Sequence, residues 1–545
     1  MNNSRVLKTP KLLISSSWFV LIIACYFGFV LNYAVSSKII TLAAQTSSGL
    51  FAYSAPVLLS AAFVVVFSLF TIPYLTKLIF TVLIITSALA SYATLNYGVI
   101  FDYSMIENIF ETNTAEASSY LSFKAVIYFV VLGALPTLLL WMVEFEKKHS
   151  FKVRVLQRFA LVLGALAVIA IVFVAAYKDY ASVGRNNAYL NKLIVPSHIY
   201  YTVKYLDKTY LSTPLEYKQI GMDAQKLVSA NGKPELTILV LGETARSMNL
   251  GVNGYSRNTT PYTEKYNLIS FGEVSSCGTA TAHSLPCMFS NMNREHYNKS
   301  VANSQDNVLD IIQRAGVSVL WKDNDGGDKA VAKNLPKTMI QPADYPQFCD
   351  SDVCYDEALL YGLDSEIGSA NGNDQLYVLH IIGSHGPTYW KRYPKQHELF
   401  KPSCNRADIE NCTDEEITNV YDNTIAYTDF VVSKLIEKLQ QYRDKYNVAL
   451  MYISDHGESL GENGLYLHGT PYALAPKEQT SVPWMLWLDE GFAQTYGIDK
   501  TCVKDKSQDV LSHDNLFHTL LDFANVTTSA KDETMSILDS CRARR

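Results

Sequence analysis

The feature that most restricts this chain sits in its first third, as five apolar stretches near Leu12–Val35, Ala52–Ile72, Leu75–Leu95, Ala125–Val143 and Phe159–Ala176. Each approaches the ~20 residues that a helix needs to cross a bilayer. No water reaches peptide groups in the hydrocarbon core, so segments of this kind cross as helices with their backbone bonds satisfied internally. Arg5, Lys8 and Lys11 precede the first stretch, as they would a signal peptide. It is too long for one, lacks a small-residue cleavage site and is followed by further spans, so a retained helix is expected.

Lysine and arginine placement sets the expected orientation. Arg5, Lys8 and Lys11 put the N-terminus in the cytoplasm, and Lys147, Lys148, Lys152, Arg154 and Arg158 do the same for the loop between spans four and five. The loop at 96–123 carries Asp102, Glu107, Glu111 and Glu116 without a lysine or arginine, which suits the outer side. Five crossings from an inside start leave everything after about Lys178 outside. Cysteine usage agrees. Cys25 lies inside the first span, and the other eight cysteines all lie beyond the last, as an oxidising compartment allows. Connectivity is not readable from sequence. Proximity favours Cys277–Cys287, Cys349–Cys354 and Cys404–Cys412, leaving Cys502–Cys541.

The expected organisation is a transmembrane domain of five helices over 1–180, an amphipathic bridging segment over 181–230, and a soluble domain over 231–545. In the bridge, Tyr200, Tyr201, Val203 and Tyr205 are scattered among charges. A net charge of -6 gives no hint of a nucleic-acid partner. The soluble part alternates strand-like runs (ELTILVLGETAR at 235–246, VSVLWKDN at 317–324, QLYVLHIIGSHG at 375–386, NVALMYISDHGES at 447–459) with helical patterns at 307–315 and 419–442. That alternation predicts an α/β fold, a mostly parallel sheet with helices on both faces.

In such sheets ligands bind beyond the carboxyl ends of the strands. Glu243, Asp323, His380, His385, Asp455 and His456 fall there. Asp455 and His456 can address one cation with Glu243 as a second carboxylate, and the imidazole favours zinc over manganese. An open coordination position invites a nucleophile. The stretch SSCGTATAHSLPCMFS offers Ser275, Ser276, Thr279, Thr281 and Ser284, and spacing does not choose among them. A dication lowers the cost of an alkoxide, and a helix start presents N–H groups to an anion. His380, His385 and His468 form a second group suited to another metal, to phosphate oxygens or to proton transfer. Lys329 could neutralise a phosphate oxygen.

The segments GETAR (242–246), NGYSRNTTP (253–261), SCGTATAHSLPCMFS (276–290), SHGP (384–387) and SDHGESLGENGLYLHG (454–469) resemble the signature segments of the lipid A phosphoethanolamine transferases. That family includes the mobile colistin-resistance enzymes, and its periplasmic domain is of the alkaline phosphatase and sulfatase superfamily. The resemblance implies zinc ligands at Glu243, Asp455, His456 and the nucleophile Thr281. It implies substrate or second-zinc roles for His385 and His468, and a phosphate contact at Lys329. Asn108, Thr112 and Glu116 would bind the ethanolamine head group, and their spacing of four places them on one helix face. Asp325 stands where some relatives have Asn.

The implied reaction takes phosphoethanolamine from phosphatidylethanolamine onto Thr281, releases diacylglycerol, and passes the group to a lipid A phosphate. A monomeric inner-membrane enzyme with a periplasmic catalytic domain is expected, lowering outer-membrane negative charge and so conferring resistance to polymyxins such as colistin. Two alternatives remain open: a related transferase acting on lipopolysaccharide core sugar or periplasmic glucan, and a membrane-tethered binding or sensing protein with the same fold.

Overall fold

The computed structural model describes residues 12–543 apart from 44–48, 73, 113, 115–116, 118–119, 147–149, 188, 351–352 and 371. The chain forms two compact units, one of Met1–Ile106 with Leu121–Tyr210 and the other of Glu107–Tyr120 with Leu211–Arg545.

In the first unit, three helices among the described residues are long and apolar enough to cross a membrane: Thr76–Tyr97, Phe123–Met142 and Phe151–Tyr180. The expected count of five is therefore not reached by length and composition. The first apolar stretch is broken into Ser16–Leu31 and Tyr33–Leu42, bent by 55°, and the second supplies a shorter apolar run, Tyr53–Leu69. Asn32 sits at the break. Its amide donates to Phe27 O (2.9 Å) and Val195 O (2.8 Å) and accepts from Val195 N (2.9 Å), so a buried polar side chain is satisfied where the helix interrupts. Phenylalanines knit this unit together: Phe67 meets Phe27 and Phe80 edge-on, with centroids 5.0 and 5.1 Å apart. After the last long helix, the bridge contains a further helix, Ser197–Leu206. Helix α1 (Tyr103–Glu111) contributes its last five residues to the second unit.

The second unit is built on an eight-stranded sheet. Its strands in chain order are β1 (Glu235–Gly242), β2 (Ile269–Ser275), β3 (Ser318–Asp323), β4 (Lys337–Met339), β5 (Gln375–His380), β6 (Asn447–Ser454), β7 (Ser481–Leu488) and β8 (Leu511–Ser512). Their spatial order is β8-β2-β7-β6-β1-β5-β3-β4. β6, β1, β5, β3 and β4 run parallel, whereas β7 is antiparallel to both β6 and β2. The sheet is mixed, since SVPWMLWL returns against the run of its neighbours and Pro483 falls where the β7–β2 register shifts. Every residue of β1, β5 and β6 is buried, as strands covered on both faces require.

The helices that matter below are α2 (Thr281–Met288), α3 (Lys299–Asn303) and α4 (Asp414–Tyr442). α4 begins five residues ahead of the apolar pattern at 419. Thr413 caps it, accepting from Glu416 N while the Glu416 carboxylate accepts from Thr413 N, so the acidic first turn is held helical without apolar residues. The structure pairs Cys277 with Cys287, Cys349 with Cys354, Cys404 with Cys412, and Cys502 with Cys541.

Candidate active site

The parallel ladder between β1 and β6 continues one step past the strands, where Asp455 N donates to Gly242 O (3.0 Å). That step sets Glu243 beside Asp455 and His456, all three fully buried. Gly457 is needed immediately after, because a Cβ there would lie 2.1 Å from the Glu478 carbonyl. Thr244 adopts φ +53°, a left-handed conformation that strains a β-branched residue. It is held by Tyr421, whose hydroxyl donates to Thr244 O at 2.7 Å.

Thr281 opens α2 and is the only one of the five candidate hydroxyls whose Oγ bonds the Glu243 carboxylate. It donates to Glu243 Oε2 at 3.0 Å and lies 3.3 Å from His456 Nε2. The others are engaged elsewhere or exposed. Ser276 bonds Gly278 O, Thr279 bonds Thr470 O and Ser284 bonds Asp455 O, while Ser275 faces solvent.

Three observations say what this cluster can hold. Glu243 Oε1 and Asp455 Oδ2 are buried with no hydrogen-bond partner. His456 Nδ1 is 2.9 Å from Gly457 O, which can only accept, so that nitrogen carries the proton and Nε2 presents a lone pair. That lone pair lies 3.4 Å from both Glu243 Oε1 and Asp455 Oδ2. Three electron-rich atoms facing one another in a dry site call for a cation. Their donors fit zinc: two carboxylates, one imidazole and a hydroxyl. Without a cation, burial and then the charges of Asp455 and Asp325 push the Glu243 carboxyl well above its usual range, and burial lowers His456.

Two further groups of residues could hold an ion: His456 with Glu458 and His468, and Glu243 with Asp325 and His385. His468 Nδ1 rests on Glu458 Oε2 (3.0 Å), and Tyr389 donates to the other Glu458 oxygen (2.7 Å). His385 Nδ1 bonds Gly386 O (2.8 Å) and its ring lies 5.4 Å from that of His468. Burial, then His468 and Arg392, pushes His385 well below the usual imidazole value. His380 belongs to neither group but borders the second through Asp325. It lies 2.9 Å from Asp323 and 3.6 Å from Asp325. Burial alone would lower it, but Asp323 and then Asp325 push it up to about 9, leaving a buried imidazolium.

Lys329 Nζ donates to Glu111 O (3.2 Å) at the end of α1. Asn108 is half-buried on that helix, and Thr112, half-buried one residue past its end and so off the expected helix face, has its hydroxyl and N–H both on Asn108 O (2.8 Å each). Glu116 lies outside the described residues.

Sequence reasoning missed His513. Its Nδ1 accepts from Cys277 N (3.0 Å) and its Nε2 donates to Ser454 O (2.9 Å), so one neutral ring stitches the disulfide-bearing segment to the strand that ends just before Asp455. Burial lowers it to about 4, which keeps that tautomer at neutral pH. No local signal marks it. Glu458 was present in the SDHGE segment, but its partners become visible only in space.

A family profile described as Sulfatase matches residues 235–526, and one described as Phosphoethanolamine transferase EptA/EptB matches residues 59–210. Over 99% of both chains, this protein is 40% identical to the phosphoethanolamine transferase EptA of Escherichia coli (strain K12). It is 36% identical to the phosphatidylethanolamine transferase Mcr-1 of Escherichia coli, over 89% of this chain and 90% of that one. Its fold is similar to the integral membrane protein lipooligosaccharide phosphoethanolamine transferase A (EptA) from Neisseria meningitidis, with TM-score 0.92, 37% identity, and 98% and 100% of the two chains covered. A membrane unit joined to a sulfatase-type unit, with identity at this level along the whole length, makes the chain a member of the phosphoethanolamine transferase family.

Proposed function

We propose that this chain transfers phosphoethanolamine from phosphatidylethanolamine to a phosphate of lipid A through a covalent intermediate on Thr281. The observation that carries the reading is the position of Thr281 Oγ1, 3.0 Å from Glu243 Oε2 and 3.3 Å from His456 Nε2, beside two buried carboxylate oxygens without partners. The donor follows from the phosphatidylethanolamine in the name of the relative Mcr-1, and an acceptor of the lipid A type from the lipooligosaccharide in that of the Neisseria relative.

Glu243, Thr281, Asp455 and His456 would hold zinc. That ion, when bound, supplies a lowered cost for the threonine alkoxide and compensation for charge on the attacked phosphodiester. In the first half-step the Thr281 hydroxyl passes its proton to Glu243 Oε2, on which it rests, Thr281 Oγ forms a bond to phosphorus, the bond from phosphorus to the glycerol oxygen breaks, and diacylglycerol leaves with a proton. His468, with Nδ1 on Glu458 Oε2, supplies that proton. In the second half-step a lipid A phosphate oxygen attacks the same phosphorus, and Thr281 regains its proton. Splitting one displacement into two is the gain from a covalent nucleophile. Lys329 neutralises a phosphate oxygen, while Asn108, Thr112 and Glu116 receive the ethanolamine.

The location follows from substrates that stay in a bilayer. The first unit spans the inner membrane with five helices, the bent pair and the short run included. The N-terminus is cytoplasmic, residues 181–230 bridge, and residues 231–545 work as a monomer in the periplasm. The product carries an added ammonium and lowers affinity for cationic peptides such as the polymyxins. Mass spectrometry of lipid A from cells expressing the chain tests this directly. Wild type should add phosphoethanolamine and Thr281→Ala should not. Unmodified lipid A, with a modified core sugar or glucan instead, would transfer the assignment to those acceptors.

A further inference from the structure

Pro286 lies inside α2 and has no N–H to give to the carbonyl four residues earlier, that of Ala282. A buried carbonyl so stranded needs another donor. It has one: Lys299 Nζ, from the start of α3, donates to Ala282 O at 2.8 Å. The same ammonium lies 2.6 Å from Glu111 Oε1 and 3.5 Å from Glu107 Oε1, on the part of α1 that belongs to the catalytic unit. Lys299, Glu107 and Glu111 side chains are 16%, 8% and 25% exposed, so water competes weakly for these contacts. Lys329 adds a second lysine at the same helix end by donating to Glu111 O at 3.2 Å, a carbonyl of the last turn that the helix itself leaves open.

We propose that Lys299 is a positioning residue for the transfer. It fills the vacancy left by Pro286 and thereby ties the helix that begins at Thr281 to the end of α1 that carries Asn108 and precedes Thr112. One ammonium fixes the separation between the attacking hydroxyl and the face that receives the ethanolamine. The inference rests on the functional reading above, since that face matters only for a donor with such a head group.

The test measures two reactions in detergent-solubilised full-length enzyme: diacylglycerol release from phosphatidylethanolamine, and hydrolysis of bis(p-nitrophenyl) phosphate, which has no ethanolamine. Lys299→Met should lower kcat/KM for phosphatidylethanolamine about tenfold or more and leave the aryl diester within about threefold. Lys299→Arg should recover most of the loss. Glu111→Gln should reproduce it, and the double variant Lys299→Met with Glu111→Gln should be no worse than either alone, as partners in one contact behave. Restoring an N–H with Pro286→Ala should shrink the penalty of Lys299→Met.

Equal losses on both substrates, no loss on phosphatidylethanolamine, or additive effects of Lys299→Met and Glu111→Gln each overturn the proposal. Should Lys299→Met fail to fold, Lys299→Arg and Glu111→Gln carry the same comparison. A wild-type enzyme that releases no diacylglycerol sinks the functional reading instead, and is told apart from these outcomes because it appears before any variant is made.

Discussion

Polar groups are handled differently in the two units. In the membrane unit, away from the Asn32 amide at the helix break, several hydroxyls turn back to the carbonyl four residues earlier: Ser60 on Pro56 O (2.7 Å), Ser68 on Val64 O (2.6 Å), Thr71 on Phe67 O (2.9 Å), Thr76 on Ile72 O (2.7 Å), and Thr86 on Val82 O (2.8 Å) while also meeting His198 Nε2 (2.9 Å). In the catalytic unit they reach across the chain. Thr281 meets Glu243, Cys277 meets His513, and Asp429 of α4 holds the backbone of Tyr262 and Thr263. Local satisfaction lets a helix exist in lipid whatever its neighbours do. Distant satisfaction makes a site that exists only when the whole sheet is assembled, and it leaves Glu243 Oε1 and Asp455 Oδ2 for a ligand rather than for the fold.

The contrast is most exposed at Glu243. Glu243→Gln should cut transfer by about 1000-fold or more and lower the zinc content measured by elemental mass spectrometry. After chelation the variant should melt higher than chelated wild type, because it removes a buried carboxyl that lacks a compensating charge. A variant that keeps its zinc would break the comparison.

His513→Ala strands the Cys277 N–H and the Ser454 carbonyl together and opens a cavity. A loss of about 3–5 kcal/mol in denaturant unfolding is expected, with His513→Gln losing less. A neutral result would show the two segments to be held by other contacts, such as that of Ser284 Oγ with Asp455 O.

Asp429 sharpens the same point through pH. Burial pushes it up to about 6, against which the Thr263 hydroxyl and the N–H groups of Tyr262 and Thr263 pull down. Between about pH 4 and pH 6 the unfolded carboxyl ionises while the folded one keeps its proton, so stability falls as pH rises through that window and stays lower above it. The change is on the order of 2–3 kcal/mol and should be absent from the pH profile of Asp429→Asn.

The smallest effect is expected in the membrane unit. Ser68→Ala removes a hydroxyl bonded within its own helix and should change thermal stability by no more than about 0.5 kcal/mol. A loss as large as that of His513→Ala would erase the distinction between the units.

Much of this was legible beforehand because it is written in short range. Run length and apolarity gave three of the five expected membrane helices their places, alternation of strand and helix placed β1, β3, β5 and β6, and the acids and imidazoles at the strand ends marked the candidate site. The bend at Asn32 was hidden, since it depends on Val195, far along the chain. So was the antiparallel return of β7, because an apolar run does not record its direction.

What the sequence determined alone, then, is which segments cannot stay in water and which residue types close each buried strand, for these follow from side chains and their spacing. Only the tertiary structure decided which hydroxyl faces Glu243, that His513 joins two distant segments, and that Lys299 answers the carbonyl Pro286 leaves open. Each of those depends on a donor meeting an acceptor from another part of the chain, and such meetings are fixed by packing.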